Sequence, residues 1–236
     1  VYGVLFAGLI NGAVLGLAPI YAATSAPADE PVAAAAAAAA FYAAMTIGGV
    51  ITQFPSGALS DRVDRRLVVA ALAALASAAS FALAVTQPFS PGWLRLSLAF
   101  IWGAGALSFY GVAVAHAIDR APHEQHARVM GGLLLIWAGG NVVGPPVAGL
   151  VMQAGIGSAG LFVYAGLGLA GLAFLQTRRL ASREQVEPEQ REPFATVHAT
   201  SMAAAELDPR GEGPAEAETP SEPPRDDEPY TGEDPV

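Results

Sequence analysis

The 236 residues include no cysteine, which excludes a disulfide framework, a thiolate metal site and a cysteine nucleophile. Lysine is missing as well, since all twelve basic residues are arginine. Together with the alanine runs this reads as coding bias rather than a binding patch, and no function follows from it. Charge of either sign is scarce: 14% of residues are charged and 53% hydrophobic, against roughly 25% charged in an average soluble domain. A soluble fold could not wet its surface with so few ionic groups. No Gly-rich loop ends in Gly-Lys-Ser/Thr, so P-loop hydrolysis of ATP is excluded.

What charge there is divides unevenly. Residues 1–182 carry six acids and eight Arg, whereas residues 183–236 carry fifteen acids and four Arg, which together give the net −9. The acidic balance therefore describes the tail. It points neither to a substrate charge nor to nucleic acid as a partner. From Arg183 onward Glu, Asp, Pro, Gly and Ser dominate, a composition that cannot bury enough apolar surface to fold, so a disordered extension is expected there.

A bilayer core of roughly 30 Å is crossed by about 20 apolar helical residues. Charge-poor runs of that length occupy residues 1–21, 32–59, 67–86, 93–117, 129–152 and 159–175. Turn-forming segments lie between them, at 24–31, at the Pro pair of 87–91 and at the Gly-rich 155–158. Runs of 17 to 28 residues without period-2 polarity fit helices rather than strands. The expectation is an all-α polytopic membrane domain of six transmembrane helices over 1–182, followed by a disordered acidic Pro-rich cytoplasmic tail over 183–236. Arginines gather after the second, fourth and sixth runs (Arg62, Arg65, Arg66, Arg120, Arg128, Arg178 and Arg179), while Arg95 alone lies near the other face. By the positive-inside rule both termini face the cytoplasm of a cell inner membrane. The chain opens at Val1 within an apolar run with no basic n-region or cleavage site, which reads as a cut rather than a signal peptide.

The most specific motif is Gly57-Ala58-Leu59-Ser60-Asp61-Arg62-Val63-Asp64-Arg65-Arg66, expected as the loop between the second and third spans. It resembles the major facilitator signature G-x-L-[AS]-D-[RK]-x-G-[RK]-[RK], departing from it at Asp64, where Gly is usual. The resemblance implies a cytoplasmic gating latch. Its acid, Asp61, would sit against a helix N-terminus of a second half-bundle, where the helix dipole favours negative charge. Arg62, Arg65 and Arg66 would pair with acids at neighbouring helix ends, with Asp119 the candidate for Arg65 or Arg66. The fifth span carries Gly140-Asn141-Val142-Val143-Gly144-Pro145-Pro146-Val147-Ala148-Gly149, which is similar to the Gly-Pro motif of a facilitator's fifth helix. Gly140, Gly144, Pro145 and Gly149 are its packing and gating candidates, because small residues allow close helix approach and Pro frees a carbonyl. Gly8, Gly12 and Gly16 repeat the pattern on the first span. With residues 115–120, these features resemble the C-terminal half of the YcaD-like bacterial facilitators over residues 1–180.

The likeness implies secondary active transport of a small solute by alternating access. The partners it implies are the lipid bilayer, the solute, a missing N-terminal six-helix half and a coupling ion such as the proton. Polar residues inside spans are costly and become candidates for the substrate pathway: Asn11, Gln53 and Tyr110 are favoured by their depth along each span, Asn141 is a further candidate, Ser108 is on the same list, and His116 lies near the cytoplasmic end. For each, an interhelical hydrogen bond is the competing reading. No cofactor, metal or catalytic residue is expected. His123-Glu124-Gln125-His126 has the wrong spacing for zinc and lacks a third ligand, and Ser108 does not sit in a G-x-S-G context. A six-span permease subunit of an ATP-driven transporter and a non-transporting membrane scaffold remain as alternatives to a facilitator half.

Overall fold

The computed structural model describes residues 2–24, 29–86, 92–119 and 121–180. The expected tail over 183–236, the turn at 87–91, Arg120 and the middle of the 24–31 segment lie outside the described residues. Among the described residues there are seven α-helices: α1 (Tyr2–Ala23), α2 (Pro31–Arg62), α3 (Arg65–Thr86), α4 (Gly92–Ala106), α5 (Phe109–Ile118), α6 (His126–Val151) and α7 (Gly160–Leu180). They supply five apolar helical stretches long enough to cross a membrane: α1, α2, α3, α4 with α5, and α6 with α7. Alanine, leucine and methionine favour helix intrinsically. In a hydrocarbon phase the stronger reason is that a helix satisfies every backbone donor and acceptor internally.

The fourth expected span is broken once. At Leu107 and Ser108 the helix gives way to a turn, and the Ser108 hydroxyl donates to the Gly49 carbonyl of α2 at 3.2 Å. The stretch from α6 to α7 is broken more deeply. A π-helical turn at Met152–Ile156 and a 3-10 turn at Gly157–Ala159 hold Gly155 at φ 93° and Gly157 at φ 64°. A side chain is strained in that left-handed region, so these two glycines permit the chain to turn.

Helix directions follow from paired contacts. Gly8 lies against Trp137 and Gly140, Gly12 against Asn141 and Gly16 against Pro145, so α1 and α6 run parallel. Just before α7, Ser158 meets Thr24 at 3.4 Å; on α7, Tyr164 donates to the Leu9 carbonyl at 3.2 Å, and the Arg179 guanidinium lies 4.6 Å from the Tyr2 ring centroid. Helix α7 is thus antiparallel to α1, and α6 and α7 run in opposite directions. Helix α3 packs antiparallel on α7, with Ser77 donating to the Gly166 carbonyl at 2.9 Å. It also packs on α4, where Trp102 Nε1 donates to Ser80 Oγ at 3.0 Å. The core is largely Ala, Val and Leu, with an aromatic cluster of Tyr21, Phe41, Trp102 and Phe162 joining α1, α2, α4 and α7.

Candidate functional site

Most of the expected loop is helix. Residues 57–62 are the last turns of α2, only Val63 and Asp64 leave the helical path, and Arg65 opens α3. Nothing between 57 and 62 breaks a helix except the tolerated Gly57, and Ser60 Oγ bonds back to the Gly57 carbonyl at 2.7 Å. The signature is therefore a tight corner between two long helices.

Asp64, the position that departs from the family pattern, makes that corner. No residue other than glycine has positive φ among the described residues, so the turn is not built on a left-handed Asp. Asp64 instead caps α3. Its Oδ1 accepts the Arg66 backbone N–H at 2.8 Å, and its carbonyl accepts the N–H of Leu67 at 2.9 Å. These bonds satisfy donors that a helix start leaves orphaned. Its carboxylate also pairs with the Arg66 guanidinium at 2.9 Å. Burial pushes the Asp64 carboxyl up, but the hydrogen bonds and charge of Arg66, with a smaller contribution from His116, outweigh it and hold the pKa below the usual value. Arg66 has a second task, donating from Nη1 to the Arg179 carbonyl at 2.8 Å in the last turn of α7. A cation is favourable there because helix carbonyls end unpaired.

Arg65 draws two acids together. Its guanidinium lies 3.2 Å from Asp61 Oδ1 and 3.3 Å from Asp119 Oδ1. Arg65, rather than Arg66, is the arginine that reaches Asp119. The side chains of Arg65 and Asp119 are each 2% exposed, while that of Asp61 is 35% exposed. One acid therefore lies sealed inside the bundle and the other opens to its end. Arg62 is exposed beside them. The corner joins α2, α3, α5 and α7 at one end of the bundle.

The pathway candidates separate. Asn11 is buried, and its Nδ2 donates to the Ala106 carbonyl at 3.1 Å, one of the carbonyls beside the break between α4 and α5; its Oδ1 has no hydrogen-bond partner among the described residues. Asn141 bonds back to the Trp137 carbonyl at 2.8 Å, and a Cβ at Gly12 would fall 2.8 Å from its Oδ1. Tyr110 stacks at a tilt against Trp137 with centroids 5.8 Å apart. Asn11, Tyr110 and Asn141 thus gather where α1, α5 and α6 meet. Gln53 stands apart on α2, where its carbonyl accepts from Ser56 at 2.9 Å.

Among the glycines, Gly140 and Gly144 pack against the α1 backbone: a Cβ on Gly140 would fall 2.7 Å from Leu9 N, and one on Gly144 would collide with the Leu9 carbonyl. Pro145 lies inside the same helix without ending it. Gly149 does not belong to this packing, because a Cβ there would meet nothing within 4 Å; the contact stripe ends before it. Sequence reasoning passed over another close crossing, where Gly48 of α2 faces Phe100 and Ala104, and Gly103 of α4 faces Met45. The Gly48-Gly49 pair in an alanine-rich run was the available signal. His123, Glu124 and Gln125 form a short 3-10 turn, and no group of three metal-ligating side chains occurs among the described residues.

The profile described as Major Facilitator Superfamily matches residues 1–210. The chain is 28% identical over 153 residues to the MFS-type transporter YcaD of Salmonella paratyphi B, Salmonella newport and Salmonella heidelberg, an alignment covering 65% of this chain and 37% of each relative. It therefore spans little more than a third of the length of those curated relatives. No solved structure matches.

Proposed function

Because the chain belongs to the major facilitator superfamily, as a multi-pass membrane protein of YcaD-like type, we propose that it is the C-terminal six-helix half of a secondary transporter. In this reading α4 with α5 forms one span, and α6 and α7 form two. The opposite directions of α6 and α7 and the positive-φ glycines between them support that count. An even count places both termini on one side of the membrane, and the arginine-rich corner makes that side the cytoplasm.

The observation that carries the mechanism is the shared Arg65. Asp119 and Arg65 fix the corner from within, and Asp61 presents a partly open carboxylate at the same end. In one state of alternating access Asp61 meets a helix N-terminus of the other half; in the other state it turns back to Arg65. A contact made in only one state biases the equilibrium between the two. Asn11, Tyr110 and Asn141 belong to the solute pathway of this half, with Gln53 contributing from α2. The exposed apolar residues Phe54 of α2 and Val142 and Leu150 of α6 belong to faces covered by the other half or by lipid. A coupling proton follows from the family alone.

Uptake by the complete transporter, normalised to inserted protein, tests this. Asp61→Asn impairs transport while expression stays near wild type. Normal uptake by that variant would remove the latch and leave a structural corner.

A further inference from the structure

The end of the bundle opposite the arginine corner carries one basic residue. Arg95 sits in the first turn of α4 and is half-buried. The acids at that end are Asp29 and Glu30, both exposed, and residues 25–28, 87–91 and 153–159 contain no charged side chain. Neither acid forms an ion pair with Arg95 among the described residues, and no hydrogen bond takes up its guanidinium there. Five N–H donors are thus held partly out of water without an acceptor among the described residues.

Those donors border a half-open pocket of about 110 Å³ between α1, α2 and α4, lined also by Tyr21, Ala37, Phe41, Gly92 and Leu96. The Tyr21 hydroxyl is committed to the Leu83 carbonyl at 2.7 Å, so Arg95 is the polar group left to meet a ligand. Gly92 begins α4, and its helix start adds the positive end of a dipole on the same side. Every part of the pocket that is charged favours an anion.

Size and position narrow the anion. Sites that engulf a drug-sized solute measure roughly 300–1,000 Å³, whereas this pocket holds a phosphate-sized group and little more. It opens between membrane-spanning helices, within about 5 Å of the start of α4 at 1.5 Å of rise per residue, the level where headgroups meet acyl chains. Trp93, next to Gly92 and 69% exposed, is of a type enriched at that level. We propose that the pocket binds the phosphodiester of a phospholipid headgroup, with Arg95 as its cation and the acyl chains lying outside along the apolar helices.

The test is thermal melting of the purified 236-residue chain in detergent, titrated with phosphatidylglycerol, with diacylglycerol of the same chains, or with inorganic phosphate. Phosphatidylglycerol should raise the melting temperature saturably, and diacylglycerol should not. Arg95→Ala should weaken the phosphatidylglycerol midpoint by about tenfold, the order expected for one charge-assisted hydrogen bond, and Arg95→Lys by less. Ala37→Trp, which fills the pocket and leaves Arg95 in place, should weaken it comparably. Equal midpoints for wild type and both the Ala and Trp variants would overturn the proposal. An Arg95-dependent shift with inorganic phosphate alone would also overturn it, assigning the pocket to a free anion.

Discussion

Replacing Asp119 by Asn should destabilise the bundle far more than replacing Asp61 by Asn, although both carboxylates contact one guanidinium. Arg65 and Asp119 are each 2% exposed, so Asp119→Asn removes a buried anion from a buried cation. Removing one member of a buried pair costs about 3–5 kcal/mol, which at about 2–4 °C per kcal/mol for a chain of this size lowers the melting temperature by roughly 6–20 °C. Asp61 is 35% exposed and forms an i,i+4 pair, a geometry worth about 0.3–0.5 kcal/mol; Asp61→Asn should move the melting temperature by about 1–2 °C. Intrinsic fluorescence of the three Trp residues in purified protein reads both shifts. Joint replacement, Arg65→Met with Asp119→Leu, should recover most of the loss, because no charge is left stranded. Equal shifts for Asp61→Asn and Asp119→Asn, or no recovery in the double variant, would refute the division into a sealed acid and an open one.

Three further outcomes follow. Gly144→Ala should lower the melting temperature because its Cβ meets the Leu9 backbone, whereas Gly149→Ala, with open space at that point, should be neutral or raise stability by about 0.5–1 kcal/mol; the reverse order would place the stripe elsewhere. Asp64→Ala should cost about 1 kcal/mol or more through the lost cap. Since the folded pKa of Asp64 is depressed, its contribution is complete above the unfolded value of about 4 and fades as pH falls through the folded value, so melting curves of wild type and Asp64→Ala should converge in acid and diverge at neutral pH. The chain has no cysteine, so single introduced thiols report topology: in intact cells an impermeant reagent should label Asp29→Cys and spare Ala127→Cys, and the opposite pattern would invert the orientation.

Helix positions were legible in the sequence to within five residues, the largest difference being the end of the last run, expected at 175 and found at Leu180, because a membrane span is set by the length of its apolar run and local backbone bonding, both one-dimensional properties. The breaks were less so. Gly155 and Gly157 announced a turn through their identity, but the interruption at Leu107 and Ser108 depends on what lies across from it: the Gly49 carbonyl takes the Ser108 hydroxyl and Asn11 takes the Ala106 carbonyl. Gly149 matched the motif that contains Gly140 and Gly144, yet which glycines touch a backbone depends on where α1 crosses α6.

By itself the sequence determined that the chain is helical and membrane-spanning, which end gathers arginine, and that residues 57–66 carry a facilitator-type signature between two spans; run length, charge placement and local motif suffice for each. Only the tertiary structure decided how that corner is held. Arg65 and Arg66 stand at the N-terminus of α3 and Asp119 at the C-terminus of α5, each at the end of its own helix that disfavours its charge. No local rule places them there. Besides their local partners Asp61 and Asp64, they are stabilised by groups distant in sequence, Arg65 by Asp119 at 3.3 Å and Arg66 by the Arg179 carbonyl at 2.8 Å, because folding brings a charge against an opposite charge or a carbonyl dipole in a site that water screens little.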